Sequence, residues 1–183
     1  MSSIHDRQFI ENHPKLIAEK LDINNVDRYQ IVIDSIKYIC AYSGYNPDEC
    51  IVADEITKPI LPKNGIIENN YIYGIYQTST NEAVAWIQYY LEFDNKPIVF
   101  LGELYIRKEY QSKGYGKAIL EHFMDIWKEN RMEKAILNVD LKNWNAIRFW
   151  VNNGFNKIEK VLGKDEYSEI TYNALQLSKY IDF

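Results

Sequence analysis

The segment with the most chemical content is Gln111-Ser112-Lys113-Gly114-Tyr115-Gly116-Lys117, set between an apolar run and an amphipathic one. A strand, a glycine-bearing loop and a helix start together present backbone N–H groups and a positive dipole end, which hold phosphate oxygens with few side chains. Gly114 and Gly116 let the backbone approach such a group closely. Arg107 to Lys117 carries four basic groups against one acidic, net +3, in a chain whose overall charge is −5. Arg107, Lys113 and Lys117 supply the positive charge a diphosphate needs. Two familiar phosphate loops fail on spacing. A P-loop ending at Lys117 requires glycine at 111 and Ser or Thr at 118, where Gln111 and Ala118 stand. A dinucleotide fingerprint from Gly114 requires Gly or Ala at 119, where Ile119 stands.

The elements that must position this loop alternate in type. Lys15–Ile23 reads as a strand, and Asn24 or Asn25 caps a helix over Val26–Tyr42 that Gly44 ends. A short helix from Pro47 to about Ile56 precedes a Pro/Gly/Asn loop, Lys58–Asn70. Tyr71–Gln77, Glu82–Glu92 and Pro97–Arg107, joined by turn-rich segments, form an antiparallel meander. The third of these strands is apolar on both faces, the pattern of a strand covered on both sides, and Glu103 interrupts it. Gly114–Asn130 is an amphipathic helix, Ala135–Val139 a strand, and Asn143–Asn153 a helix closed by Gly154. Phe155–Val161 and Tyr167–Leu177 are the last two strands. The order is mixed, with one βαβ crossover in the middle, whereas a doubly wound sheet alternates throughout.

Composition bounds the function classes. One domain over residues 1–183 is expected, large enough to bury about 70% of its unfolded surface without a disulfide or structural metal. Cys40 and Cys50 form no CxxC, and His5, His13 and His122 form no HxxxH, so no metal site is expected and both cysteines read as small buried hydrophobes. The acidic balance argues against a nucleic-acid partner. No run approaches the about 18 apolar residues of a membrane span, and Met1–Arg7 has no basic stretch before an apolar one, so a cytoplasmic location is expected. His122 reads as solvated. The tyrosines, among them Tyr38, Tyr42, Tyr45, Tyr71, Tyr73, Tyr76, Tyr89 and Tyr90, read mainly as core and ordinary surface.

Gln111, Gly114 and Gly116 fit the Gln/Arg-x-x-Gly-x-Gly/Ala signature of the GNAT superfamily of N-acetyltransferases, which the chain resembles. The family's next helix reads Asn-x-x-Ala-x-x-x-Tyr-x-x-x-Gly-Phe; Asn143, Ala146, Gly154 and Phe155 occupy those places. Gly102-Glu103-Leu104-Tyr105-Ile106-Arg107 is similar to its fourth strand, and the element order matches from residue 15 to 177.

The resemblance implies a mixed α/β GNAT fold: about seven strands in one mixed sheet, four helices, and fourth and fifth strands splayed around acetyl-coenzyme A. The diphosphate then lies on the N–H groups of Ser112, Lys113, Gly114, Tyr115, Gly116 and Lys117, with Gln111 also binding the cofactor and the pantetheine beside Leu104, Tyr105 and Ile106. Gly102 marks the bulge that opens the sheet, or else a close-packed neighbour. The implied reaction is direct attack of a neutral amine on the thioester. Glu103 is the first candidate for the base, because burial raises a carboxylate's proton affinity, and a water chain is the other route. Where the family often has a tyrosine as general acid, this chain has Trp150, which donates a hydrogen bond but releases no proton near neutrality. Water, Tyr105 or Tyr115 is left for that role, and Trp150 reads as a wall of the pantetheine channel or as core. Asn143 bonds the pantetheine, caps its helix, or does both.

The expected acceptor is a small cationic amine, from the acidic group Asp48, Glu49, Asp54 and Glu55, with a protein lysine or N-terminal amine second. The resemblance leaves the oligomeric state at monomer or homodimer. Other classes stay open: a non-catalytic acyl-coenzyme A sensor, motivated by Trp150, and a nucleotide-binding switch on the same loop.

Overall fold

A computed structural model describes residues 16–164, 166 and 168–182. Lys15 of the first expected strand, Tyr167 of the last, Met1–Arg7, His5 and His13 lie outside the described residues. Among the described residues seven strands form one sheet in the order β1-β2-β3-β4-β5-β7-β6. They are β1 Leu16–Lys20, β2 Asn70–Gln77, β3 Glu82–Tyr90, β4 Ile98–Ile106, β5 Lys134–Asp140, β6 Lys157–Leu162 and β7 Ala174–Tyr180. β1 to β4 pair antiparallel, β4 and β5 run parallel, and β5-β7-β6 is antiparallel again. The expected meander and single crossover are both present.

The helix expected over Val26–Tyr42 is a broken helical run. A 3-10 turn, Val26–Tyr29, leads into α1, Gln30–Ile36; a second turn, Lys37–Ile39, leads into α2, Cys40–Ser43. Ile31, Val32, Ile33, Ile36 and Ile39 are β-branched and stiff against the preceding turn, which weakens a continuous helix. Ile36, at φ −118° and ψ 7°, is the break. Asn25 does not cap with its side chain; that side chain accepts from the Asp22 N–H and donates to the Lys20 carbonyl. Gly44 ends the run as expected, at φ 78° with its N–H on the Cys40 carbonyl. The short helix after Pro47 is likewise divided, into a 3-10 turn Pro47–Glu49 capped by Asn46 and α3, Val52–Thr57.

α4, Tyr115–Glu129, crosses from β4 to β5, and α5, Trp144–Asn152, follows β5. The helices cover the sheet on two faces. On one, Phe123 and Trp127 of α4 pack with Tyr73, Ile87 and Tyr89; on the other, Tyr29, Val32 and Ile33 pack with Ile72 and Trp86. Each such side chain removed from water contributes about 2–3 kcal/mol. The last strand is displaced from the expected Tyr167–Leu177. The Thr171 hydroxyl accepts from the Ser168 N–H and donates to the Ser168 carbonyl, closing a turn that competes with a ladder. The strand instead runs through Ser178, which is fully buried despite its hydroxyl because that hydroxyl donates to Glu159 at 2.7 Å.

Candidate active site

Two strands part to form the site. β4 and β5 pair only from Ile98↔Lys134 to Leu101↔Leu137. Beyond that, β4 stays with β3 as far as Ile106↔Ala85, while β5 stays with β7 as far as Asp140↔Ala174. The β3–β4 register slips where they separate: Gln88 faces Glu103 but Tyr89 faces Leu101, leaving Gly102 as the extra residue. A bulge bends the strand that carries it, and this one turns Glu103–Ile106 away from β5. Leu104, Tyr105 and Ile106 therefore present backbone edge to an open wedge, as the resemblance implied.

The glycine loop stands at the wide end of the wedge. Ser112 (φ 59°) and Gly114 (φ 86°) are left-handed, and Gly114 immediately precedes α4. The first-turn N–H groups of Tyr115, Gly116 and Lys117 have no carbonyl within their own helix to bond. A side-chain carbon at Gly116 would stand 3.2 Å from the Phe149 ring and 3.5 Å from Ile106, so the helix start sits close on β4 and α5. The Gln111 amide ties the loop back to the Ile106 carbonyl at 2.9 Å, and the Lys108 N–H bonds Ser35 Oγ of α1 at 3.1 Å. Left-handed residues on either side of Lys113, the N–H groups at the start of α4 and exposed Lys113 and Lys117 suit a diphosphate. Arg107 is committed elsewhere, 3.2 Å from Glu109 and 3.7 Å from Glu82.

Glu103 has no basic partner among its hydrogen bonds. The Trp86 indole donates to its Oε2 at 2.7 Å and the Tyr105 hydroxyl to its Oε1 at 3.3 Å. Burial, with the negative charge of Glu55, pushes the carboxyl up to about 7 against the pull of those two donors. At neutral pH it is divided between base and acid. Burial also raises the Tyr105 phenol well above its ordinary value, and Glu103 adds to this, so Tyr105 holds its proton against Glu103 and is a poor donor to a thiolate. Tyr115 is buried with its ring edge-on to Tyr110.

The remaining expected residues divide. Asn143 caps α5, its Oδ1 accepting from the Ala146 N–H at 3.1 Å. Trp150 lies in the core, its ring 4.8 Å from Phe149 and 5.3 Å from Phe155. Tyr73 and Tyr89 are buried and Tyr38 and Tyr45 exposed. His122 is half-buried rather than solvated, with a buried Nε2. In the acidic group, Asp54 pairs with Lys58 and Glu49 accepts from Asn46, whereas burial raises the Glu55 carboxyl. Trp86 was missed from sequence. The available signal was that a buried indole N–H requires an acceptor, and Glu103 was the carboxylate one strand away.

The acetyltransferase (GNAT) family profile matches residues 39–155. Similar solved structures include spermidine N-acetyltransferase from Vibrio cholerae in complex with CoA and spermine: TM-score 0.70, 14% identity, covering 91% of this chain and 95% of that one. PaiA N-acetyltransferase from Thermoplasma acidophilum, in complex with coenzyme A, gives 0.62 and 19%, covering 90% and 98%. Nourseothricin acetyltransferase gives 0.53 and 15%, with 62% of this chain matching 66% of that one. Among curated proteins no sequence match reaches significance. At these identities the structural likeness establishes the fold, and the profile, which spans more than half of the chain, establishes descent: the chain belongs to the GNAT acetyltransferase family.

Proposed function

We propose that this chain, as one domain over residues 1–183, transfers an acetyl group from acetyl-coenzyme A to a primary amine in a ternary complex. The observation that carries the reading is Glu103: a carboxylate just past the bulge where β4 parts from β5, hydrogen-bonded among the described residues to Trp86 and Tyr105 rather than to a basic side chain, and pushed up to about 7 by burial. Bound acetyl-coenzyme A supplies an activated acyl thioester. Everything else falls to the chain. The N–H groups at the start of α4, with Lys113 and Lys117, hold the diphosphate, and the free edge of Leu104–Ile106 orients the pantetheine and polarises the carbonyl. Glu103 takes a proton from the acceptor's ammonium, and the amine then attacks. Asn143 serves as cap and pantetheine neighbour. The leaving thiolate, whose thiol has a pKa near 8.5, takes its proton from water, because the Tyr105 hydroxyl is engaged by Glu103.

A small cationic amine is the acceptor we favour. Glu55 and Glu103 leave negative charge on the α3 side of β4 without a matching cation in their hydrogen bonds, and an ammonium would offset it. A protein amine is the second reading. The domain is taken to work in the cytoplasm as a monomer or homodimer, without nucleic-acid or membrane partners, consistent with net charge −5; among the described residues no helix is long and apolar enough to cross a membrane.

The test is calorimetric titration with acetyl-coenzyme A and desulfo-coenzyme A, wild type beside Gly114→Asp. Micromolar binding that the variant loses supports the cofactor site. No binding at millimolar ligand overturns it. Thiol release with a panel of polyamines and with peptides then separates the two acceptor classes, and tight binding without turnover on any amine would favour a sensor.

A further inference from the structure

The two cysteines, expected as unrelated core residues, face each other. Their sulfurs are 3.6 Å apart, and both are free thiols. Cys40 opens α2 and is 7% exposed. Cys50 is half-buried in the connector between the Pro47–Glu49 turn and α3. The segments carrying them are fixed from several sides. The Gln30 side chain of α1 donates to the Cys50 carbonyl and accepts from the Val52 N–H, both at 3.1 Å. Gly44, just after α2, lies under the Tyr172 ring, where a side-chain carbon would meet that ring at 2.5 Å. Among the described residues no cluster of three or more His, Cys, Asp or Glu side chains suits a metal ion, so the pair reads as dithiol chemistry.

We propose that Cys40 and Cys50 are a modification site: hydrogen peroxide oxidises them to a reversible intramolecular disulfide that ties α2 to the start of α3. One thiol sulfur attacks a peroxide oxygen, the O–O bond breaks, and the departing hydroxide leaves as water after taking a proton, giving a sulfenic acid. The second sulfur attacks the first; the S–S bond forms, the S–O bond breaks and a second water leaves. Two sulfurs are oxidised and two peroxide oxygens reduced. Cys50 meets the oxidant first because it is the more exposed, and Cys40 resolves it. The sulfurs close from 3.6 Å to about 2.05 Å.

Burial and the neighbouring Cys40 thiol push the Cys50 thiol up to about 11, with Glu103 adding to the rise and Lys37 opposing it. The pair therefore closes slowly at neutral pH and about tenfold faster for each pH unit above it. The site is also linked to the wedge. Cys50 packs against the cluster that Tyr105 joins, and it lies within electrostatic reach of both Glu103 and Tyr105. Closure pins the start of α3, which carries Glu55, and so acts on acceptor binding. This consequence rests on the proposed acetyl transfer.

The experiment treats the whole chain with hydrogen peroxide at pH 7, 8 and 9, blocks residual thiols with iodoacetamide and maps peptides without reduction. Expected are a Cys40–Cys50 linked peptide, a mass loss of about 2 Da, faster formation at higher pH, and return of both thiols with dithiothreitol. Sulfinic acid on either cysteine, or disulfides only between chains, would overturn the site. Cys50→Ser should abolish the linked peptide, and the wild-type map decides the matter even where that variant does not fold. In the functional arm the acceptor KM rises about threefold on oxidation while acetyl-coenzyme A binding is unchanged; an unchanged KM overturns the acceptor-side consequence. Absence of acetyl transfer would sink the proposed function and leave the mass readout to judge the disulfide alone.

Discussion

The indole N–H of Trp86 on β3 points at Glu103 on β4, 2.7 Å from its Oε2, one step past the slip in register that Gly102 creates. The bond stabilises the charged carboxylate, whereas burial and Glu55 favour the protonated one. The second influence is larger and the group stays poised near neutrality, where a general base is most effective.

Glu103→Gln keeps the shape and an acceptor for Trp86 but removes the titration. We expect kcat/KM to fall about 100-fold, the acid limb near pH 7 to vanish, and acetyl-coenzyme A affinity to be retained. Stability moves the other way. The folded-state proton affinity of Glu103 lies above that of an ordinary glutamate, so its contribution is fully present below about pH 4.5 and is lost as pH rises through about 7. The variant should therefore match wild type at pH 4.5 and exceed it by about 2–3 kcal/mol at pH 8 in urea melts. An equal difference at both pH values would show that Glu103 does not titrate as described.

Trp86→Phe removes the donor and leaves the ring volume nearly filled. Without that hydrogen bond the carboxylate loses stabilisation, and the acid limb of the rate profile should move up by about one pH unit. A pH–rate profile on the same amine decides it; a limb that stays or moves down contradicts the assignment of Trp86 to the charged form.

How far sequence reached into this site follows from what each residue answers to. The loop from Gln111 to Lys117 was legible because Gly114 takes the left-handed backbone that glycine favours and because Gln111, Gly114 and Gly116 keep the family's spacing, whereas Gly102 read equally as a bulge or a close-packed neighbour until the slip in register made it the bulge. The broken helix at Ile36 was not, because near-helical spacing of isoleucines describes a buried face and is silent on whether β-branched residues hold one continuous axis. The last strand was misplaced because Ser178 is polar in sequence and becomes an inward residue only once Glu159 is known to meet it. Trp86, Glu55 and the Cys40–Cys50 approach depend on register and on α3 docking beside β4, long-range facts that no local pattern carries.

Two strand glycines should respond differently to alanine. At Gly74 on β2 an added carbon would overlap the Tyr29 ring, a ring fixed by a hydrogen bond to Glu19, and nothing there yields cheaply. At Gly102 the nearest atom is the Gln88 amide oxygen at 3.3 Å, the end of a flexible side chain. Gly74→Ala should cost about 3 kcal/mol and Gly102→Ala less than about 1 kcal/mol in denaturant melts. Equal costs would mean that Tyr29 does not press on the sheet.

Far from the wedge, Glu159 on β6 gathers Lys134 and Ser178 at 2.7 Å and Lys157 at 3.3 Å. These partners, the Lys134 bond foremost, hold its carboxyl down at about 2 despite opposing desolvation. The sign is opposite to that of Glu103: the unfolded chain binds this proton more tightly, so the contribution is present above about pH 4.5 and is lost as pH falls toward 2. Because the carboxylate is partly solvated, Glu159→Gln should cost only about 1–2 kcal/mol at pH 7. The gap between variant and wild type should close in acid melts near pH 2. A gap that persists there would place the loss in packing, since a glutamine oxygen still accepts from the Ser178 hydroxyl, and would remove the charge from the explanation of how β6 is held to the sheet.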